Sequence, residues 1–244
     1  MNLVFYSGGH YHNNRYLNRR ALSFIRRRVP RITYIPASSE YGLEDFRDFV
    51  DALDSIKKCQ FVYFPIDYPY SEEMKQRAFE SDMIFLSGGN TYYFLHHLRQ
   101  TGILDDLHNH AQEGRVLAGL SAGAILMTPN INTAGFPKFD CDDNFVGLKA
   151  KRAMKMTQFE FFPHYTHTKR YVDALKDYTR RSRNPVFAIP DESGLVCTER
   201  GVEILGTSFL YMKGQCSPIT KCQLDHGNSF DFIEKRSHSR YTLF

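Results

Sequence analysis

Short apolar runs alternate with amphipathic segments through the first half of this chain, and that alternation narrows the fold more than any other feature. Residues 2–6, 32–36, 61–64 and 83–86 are each apolar at consecutive positions and each stop at a turn, as at Ser7-Gly8-Gly9 and Ser87-Gly-Gly-Asn-Thr91. Apolar side chains on both faces mark strands covered from both sides. The intervening segments have helical spacing. Leu17, Ala21, Phe24 and Ile25 share one face, with Arg15, Arg19, Arg20, Arg26 and Arg27 off it, and Pro30 closes that helix. Leu43, Phe46, Val50 and Leu53 form a second, Phe94, Leu95 and Leu98 a third, and Leu104 and Leu107 a further one. The pattern predicts an α/β three-layer sandwich with a mostly parallel central sheet flanked by helices. At 244 residues the chain can bury such a core as one domain over 1–224, followed by a polar tail over 225–244.

The run Arg115-Val-Leu-Ala-Gly-Leu-Ser-Ala-Gly-Ala-Ile-Leu-Met127 breaks at Gly119-Leu-Ser121-Ala-Gly123 and resumes with helical spacing. A strand that enters a helix through Gly-x-Ser-x-Gly forces the serine into a sharp turn and exposes its hydroxyl above the sheet edge. The flanking glycines suit so tight a turn, and the unpaired amides of the helix start suit a developing oxyanion. Ser7-Gly-Gly9 and Ser87-Gly-Gly89 also follow strands, so they belong on the same ligand-binding edge. The amide of Gly89, beside that of Ala122, is a candidate second donor of an oxyanion hole. Asn90, in the same turn, is a candidate substrate-binding residue.

Serine at neutral pH needs a base. His96, His97, His108 and His110 fall in helical segments, and His226 and His238 fall in the tail. His10, His12, His164 and His167 lie in loops after strands, and His164 follows its strand, 159–162, most closely. A helix over 168–181 and a strand over 186–190 come next, the strand ending in Asp191-Glu192. Either carboxylate can hold the imidazole. Glu192 is favoured for its reach, with Asp191, after Pro190, left to cap the turn and kept as the alternative; Asp140, Asp142 and Asp143 are more distant candidates. Residues 194–198 and 202–205 read as a hairpin and 208–213 as a further strand. The irregular stretch 129–158 has the length of a functional loop and could wall the cleft so that only short substrates enter.

Other features exclude more than they assign. Neither a dinucleotide fingerprint nor a phosphate loop occurs, so no organic cofactor is expected. Five cysteines, Cys59, Cys141, Cys197, Cys216 and Cys222, at irregular spacing suggest free thiols, and no metal site is expected. No stretch has the length of a membrane span and the start lacks the pattern of a signal peptide, which reads as a cytoplasmic protein. Basic residues crowd into 15–31 and 149–183 and acids into 40–54 and 140–143, but such clusters are the pattern of solvated faces, and a net charge of +4 does not single out nucleic acid as a partner.

In its motifs the chain resembles the serine peptidases that include peptidase E and cyanophycinase, whose sheet is like that of class I glutamine amidotransferases. Ser87-Gly-Gly-Asn-Thr91, Gly119-Leu-Ser-Ala-Gly-Ala124 and Pro163-His-Tyr165 carry the resemblance, over about residues 1–215. It implies Ser121 as nucleophile, His164 as base, a later acid at the strand end as third member, and oxyanion donors at Gly89 and Ala122. Where peptidase E has an Asn-Asp pair after the nucleophile this chain has Ala134-Gly-Phe136, so the resemblance does not carry aspartate specificity. The function expected is therefore a serine peptidase or amidohydrolase that cleaves short peptides through an acyl-enzyme. The alternative is a catalytically degenerate or amidotransferase-like fold-mate that binds a small molecule or nucleic acid. A homodimer is left open.

Overall fold

The computed structural model describes residues 1–220 and 223–224. At its centre is β1 (Asn2–Tyr6), with β5 (Val116–Leu120), β4 (Met83–Leu86), β2 (Arg31–Ile35) and β3 (Gln60–Tyr63) laid parallel on one side. On its other side β8 (Gly194–Thr198), β9 (Gly201–Leu205) and β12 (Gln223–Leu224) continue the sheet antiparallel, to a strand order β12-β9-β8-β1-β5-β4-β2-β3. The reversal from β8 to β9 follows from their connection. A two-residue turn at Glu199-Arg200 can only reverse the chain, whereas the parallel strands are joined by helical crossovers.

Three layers follow from how β1 divides its side chains. Leu3 and Phe5 join a core cluster with Leu95 and Leu98 of α4 (Thr91–Gln100), Leu107 of α5 (Ile103–Gln112) and Ala124 of α6 (Ala122–Leu126). Val4 and Tyr6 face the other way, onto Leu17 and Ala21 of α1 (Arg15–Ser23) and Phe49 and Leu53 of α2 (Ser39–Asp54). Both faces of the strand are covered, which is why its sequence is apolar without alternation.

Some elements depart from expectation. Helix α3 (Glu72–Phe79) has no counterpart in the periodicity because Ala78 is its one fully buried residue. Its start is set locally, by the Ser71 hydroxyl accepting from the Met74 amide with Glu72 and Glu73 in the first turn. Strands β6 (Glu160–Phe162) and β7 (Val186–Ala188) lie outside the central sheet. With β10 (Thr207–Met212) and β11 (Gln215–Thr220) they form a second sheet of order β11-β10-β7-β6, packed with α7 (Lys169–Arg181) around Phe162, Tyr165 and Leu175. Pairing of β10 with β7 pulls the strand off the central sheet. The polar tail over 225–244 lies outside the described residues, as does Cys222; Cys59, Cys141, Cys197 and Cys216 are free thiols. Among the described residues no helix is long and apolar enough to cross a membrane.

Candidate active site

Ser121 occupies the break between β5 and α6 at φ 49°, ψ −106°, a backbone state that L residues rarely hold. The two glycines around it are required by space. A Cβ on Gly119 would stand 2.3 Å from the Gly123 carbonyl carbon, and one on Gly123 would stand 2.3 Å from the Leu86 carbonyl oxygen. The Ser121 amide donates to the Tyr6 carbonyl (3.0 Å), and its carbonyl accepts from Ile125 to open α6. The sharp turn read from the sequence is thus a strained elbow held on both sides.

His164 follows β6 after Pro163, itself at φ 54°. Its Nε2 lies 2.8 Å from the Ser121 Oγ, and its Nδ1 lies 2.8 Å from the Asp191 Oδ1. Parallel pairing of β6 with β7, Phe162 opposite Ala188, sets the histidine and the aspartate side by side two and three residues beyond the register. An ionised Asp191 accepts, so Nδ1 carries the proton and Nε2 is free to accept from the serine hydroxyl. Both side chains are about half exposed, 49% and 52%, so the pair adds little to stability and serves orientation instead.

The preference for Glu192 over Asp191 is corrected by this geometry. Glu192 stands at φ 60° and its carboxylate turns away to accept from the Asn13 side chain at 2.6 Å. Successive residues at a strand end point oppositely, and the shorter acid is the one aimed at the imidazole. Nor do the loop acids reach it. Asp142 accepts from the Thr91 amide at the start of α4 (2.7 Å), Asp140 accepts from the Tyr171 hydroxyl in α7, and the Asp143 carbonyl accepts from Asn90 (2.8 Å).

Gly89 stands at φ 132°, and a Cβ there would come within 2.8 Å of the Ala37 methyl. The preceding residue, Gly88, sits against Ser121, with a Cβ position 3.7 Å from that of the serine. Ala122 is the first residue of α6, where an amide has no intrahelical acceptor. Because α6 is five residues long, it offers that amide rather than a macrodipole. Asn90 is the N-cap of α4: its Oδ1 accepts from the Tyr93 amide (2.9 Å) while its amide nitrogen holds Asp143. Both ends of that side chain are engaged in structure.

Of the remaining loop histidines, His10 and His12 are exposed, and His167 stacks on Phe209 and bonds the Tyr165 hydroxyl (2.7 Å). A cavity of about 610 Å³ lined by Asn130, Glu160, Tyr178 and Arg181 opens at the start of β6, the end opposite His164, and holds none of these residues. Among the described residues no group of three or more His, Cys, Asp or Glu is placed to hold a metal ion. The sequence did not disclose that Ser7 and Gly8 touch the histidine and the aspartate directly; the recurrence of Ser-Gly-Gly after two strands was the available signal.

Comparison with known proteins bears on the family and the fold. The family model described as peptidase family S51 matches residues 3–205. An uncharacterized peptidase of Pasteurella multocida is 30% identical over 139 residues, 56% of this chain and 65% of that protein, so the chain matches just under two thirds of that relative's length. A protein of Nostoc sp. named peptidase E is 23% identical over 206 residues, 70% of this chain and 81% of that one. Among solved structures, a peptidase E-like protein of Listeria monocytogenes superposes with a TM-score of 0.66 at 21% identity, covering 90% of this chain and 98% of that one. A peptidase from an acI-B1 actinobacterium gives 0.64 at 16% identity, covering 91% and 95%. At those identities the solved structures speak for the fold, and it is a peptidase E fold.

Proposed function

Because this chain belongs to peptidase family S51, we propose that it is a serine peptidase that cleaves short peptides through Ser121, His164 and Asp191. One observation carries the reading: Ser121 Oγ, His164 Nε2, His164 Nδ1 and Asp191 Oδ1 form a continuous line with 2.8 Å at each of its two hydrogen-bonded steps. His164 takes the hydroxyl proton on Nε2 as Ser121 attacks the peptide carbonyl carbon, and Asp191 steadies the imidazolium through Nδ1–H. The amides of Ala122 and Gly89 hold the oxyanion, each donor worth about 3 kcal/mol in the transition state. His164 then gives the proton to the departing amine, which leaves an ester on Ser121. Water, deprotonated by His164, attacks the ester and restores the serine.

Restriction to short substrates is supported by the segment 129–158. It doubles back on itself, Ile131 bonding Lys151 and Met156 bonding Met127, and its tip is tied at two points. Asp142 and Asp143 fasten it to the start of α4, just after Gly89, and Asp140 fastens it to α7, just after His164. The tip is thereby fastened to the two elements that follow Gly89 and His164 in sequence, which supports a loop that narrows the approach. The name peptidase E borne by the Nostoc relative supports a peptidase.

The test is a panel of dipeptides and tripeptides with varied first residues, offered to the wild type and to Ser121→Ala. Hydrolysis of some members by the wild type and none by the variant is the expected result. Equal turnover by both proteins would remove serine catalysis, and no turnover by the wild type over the whole panel would remove the substrate class.

A further inference from the structure

We propose that Ser7-Gly8, the turn that ends β1, is the positioning element that sets His164 and Asp191 against Ser121; the inference rests on the serine-peptidase reading. Ser7 is fully buried and its hydroxyl is used twice. It donates to the Ile189 carbonyl at 2.6 Å and accepts from the His164 amide at 2.8 Å. One hydroxyl thus joins the backbone of the residue that bears the imidazole to the backbone two residues before the carboxylate. The surrounding main chain reinforces the joint: Ser7 donates to the Ser193 carbonyl (3.1 Å), Glu192 to the Gly8 carbonyl (3.2 Å), and Tyr165 to the Ile189 carbonyl (3.0 Å).

The joint matters because the site is split between two sheets. Ser121 follows β5 of the central sheet, whereas His164 and Asp191 follow β6 and β7 of the smaller one. β1 pairs with β5 along its length, and its Tyr6 carbonyl holds the Ser121 amide. The next residue, Ser7, bonds the His164 amide and the Ile189 carbonyl, two residues before Asp191. A single strand end is therefore the common reference for nucleophile, base and acid. The His164 backbone, at φ 54°, would relax without the acceptor that Ser7 supplies to its amide.

Gly8 acts by what it lacks. A Cβ there would stand 2.2 Å from the Asp191 Oδ1, 2.3 Å from the His164 Cε1 and 2.4 Å from its Nδ1. Gly8 is not among the glycines at positive φ, so the requirement is room for the pair rather than backbone freedom. The imidazole and carboxylate lie over bare backbone, and any side chain would push them apart.

Two readouts test this. The first is the labelling rate of Ser121 by a fluorophosphonate probe, in wild type, Ser121→Ala, Ser7→Ala, Gly8→Ala and Thr33→Val. Thr33 is equally buried, with its hydroxyl bonded to the Ala78 carbonyl (2.8 Å) and Ser81 (2.7 Å), and serves as a control for general loosening. The second is the low-field proton resonance of a histidine Nδ1–H bonded to carboxylate, assigned by its loss in His164→Gln. Ser7→Ala should be labelled about 10-fold more slowly and Gly8→Ala about 100-fold, the scale of displacements near 1 Å. Both should lose or broaden the resonance, while Thr33→Val keeps the rate and the resonance. Gly8→Ala retains the Ser7 hydroxyl and carries the test if Ser7→Ala does not fold. Wild-type rates in both variants, a matching fall in Thr33→Val, a resonance that persists in both variants, or a wild type without it would each overturn the proposal. If the wild type is not labelled, or Ser121→Ala is labelled equally, the serine reading falls instead, and the resonance alone decides the positioning.

Discussion

Ser121, His164 and Glu192 all stand at positive φ, 49°, 54° and 60°, within one small region. Each such residue costs on the order of 1 kcal/mol or more, and the surrounding hydrogen bonds hold it there. Glu192 illustrates why the sequence could not rank the two acids at this strand end. Length of side chain suggested the glutamate, but direction is set by the backbone, and the turn after Pro190 aims Asp191 at His164 while Glu192 swings to Asn13. Ser121, by contrast, was legible, because Gly-x-Ser-x-Gly encodes its own geometry through the two glycines. The assignment gives a direct expectation. Asp191→Asn should lower kcat/KM by up to about four orders of magnitude with little change in thermal stability, and Glu192→Gln by no more than about 10-fold. Steady-state kinetics on a cleaved peptide decides it; a larger loss in Glu192→Gln would reverse the roles.

The strongly apolar strands and the longer helices could be read from periodicity, since both faces or one face of each is buried. Helix α3 and the second sheet could not, because a single buried alanine leaves no stripe and because sheet membership is a tertiary choice. Helix α5 carries a testable electrostatic feature. His110 is 3% exposed, with its Nε2 at 3.1 Å from the Val116 carbonyl, and burial pushes it down from 6.5 to about 4. A base depressed in the folded state is neutral there while the unfolded chain takes up a proton. Stability from this residue is therefore complete above pH 6.5 and falls as the pH drops toward 4, by at most about 3 kcal/mol. Melting temperature measured from pH 7 to pH 5 should fall more steeply for wild type than for His110→Gln; parallel curves would contradict the buried neutral state. The tethered segment 129–158 carries a second expectation, that peptides beyond a few residues are cleaved at least about 10-fold more slowly than dipeptides or tripeptides of the same first residue. Equal rates on long peptides would mean that the segment does not narrow the approach.

At the scale of the molecule, the layered α/β class and its mostly parallel sheet follow from alternation of strand and helix. What alternation cannot disclose is that His164 and Asp191 follow strands of a separate sheet, tied through the end of β1 to the sheet that carries Ser121. In the proposed function Ser121, His164 and Asp191 act as one catalytic unit built across that junction, and a unit has a kinetic signature. Once its nucleophile is lost, further losses have nothing left to act on. The most direct measurement is kcat/KM for Ser121→Ala, His164→Ala and the double variant on the best peptide of the panel. Each single change should be severe, and the double variant should lie within a few-fold of the worse single. A double variant reduced by the product of the two single losses would show that the serine and the histidine act independently, and would contradict a single catalytic unit.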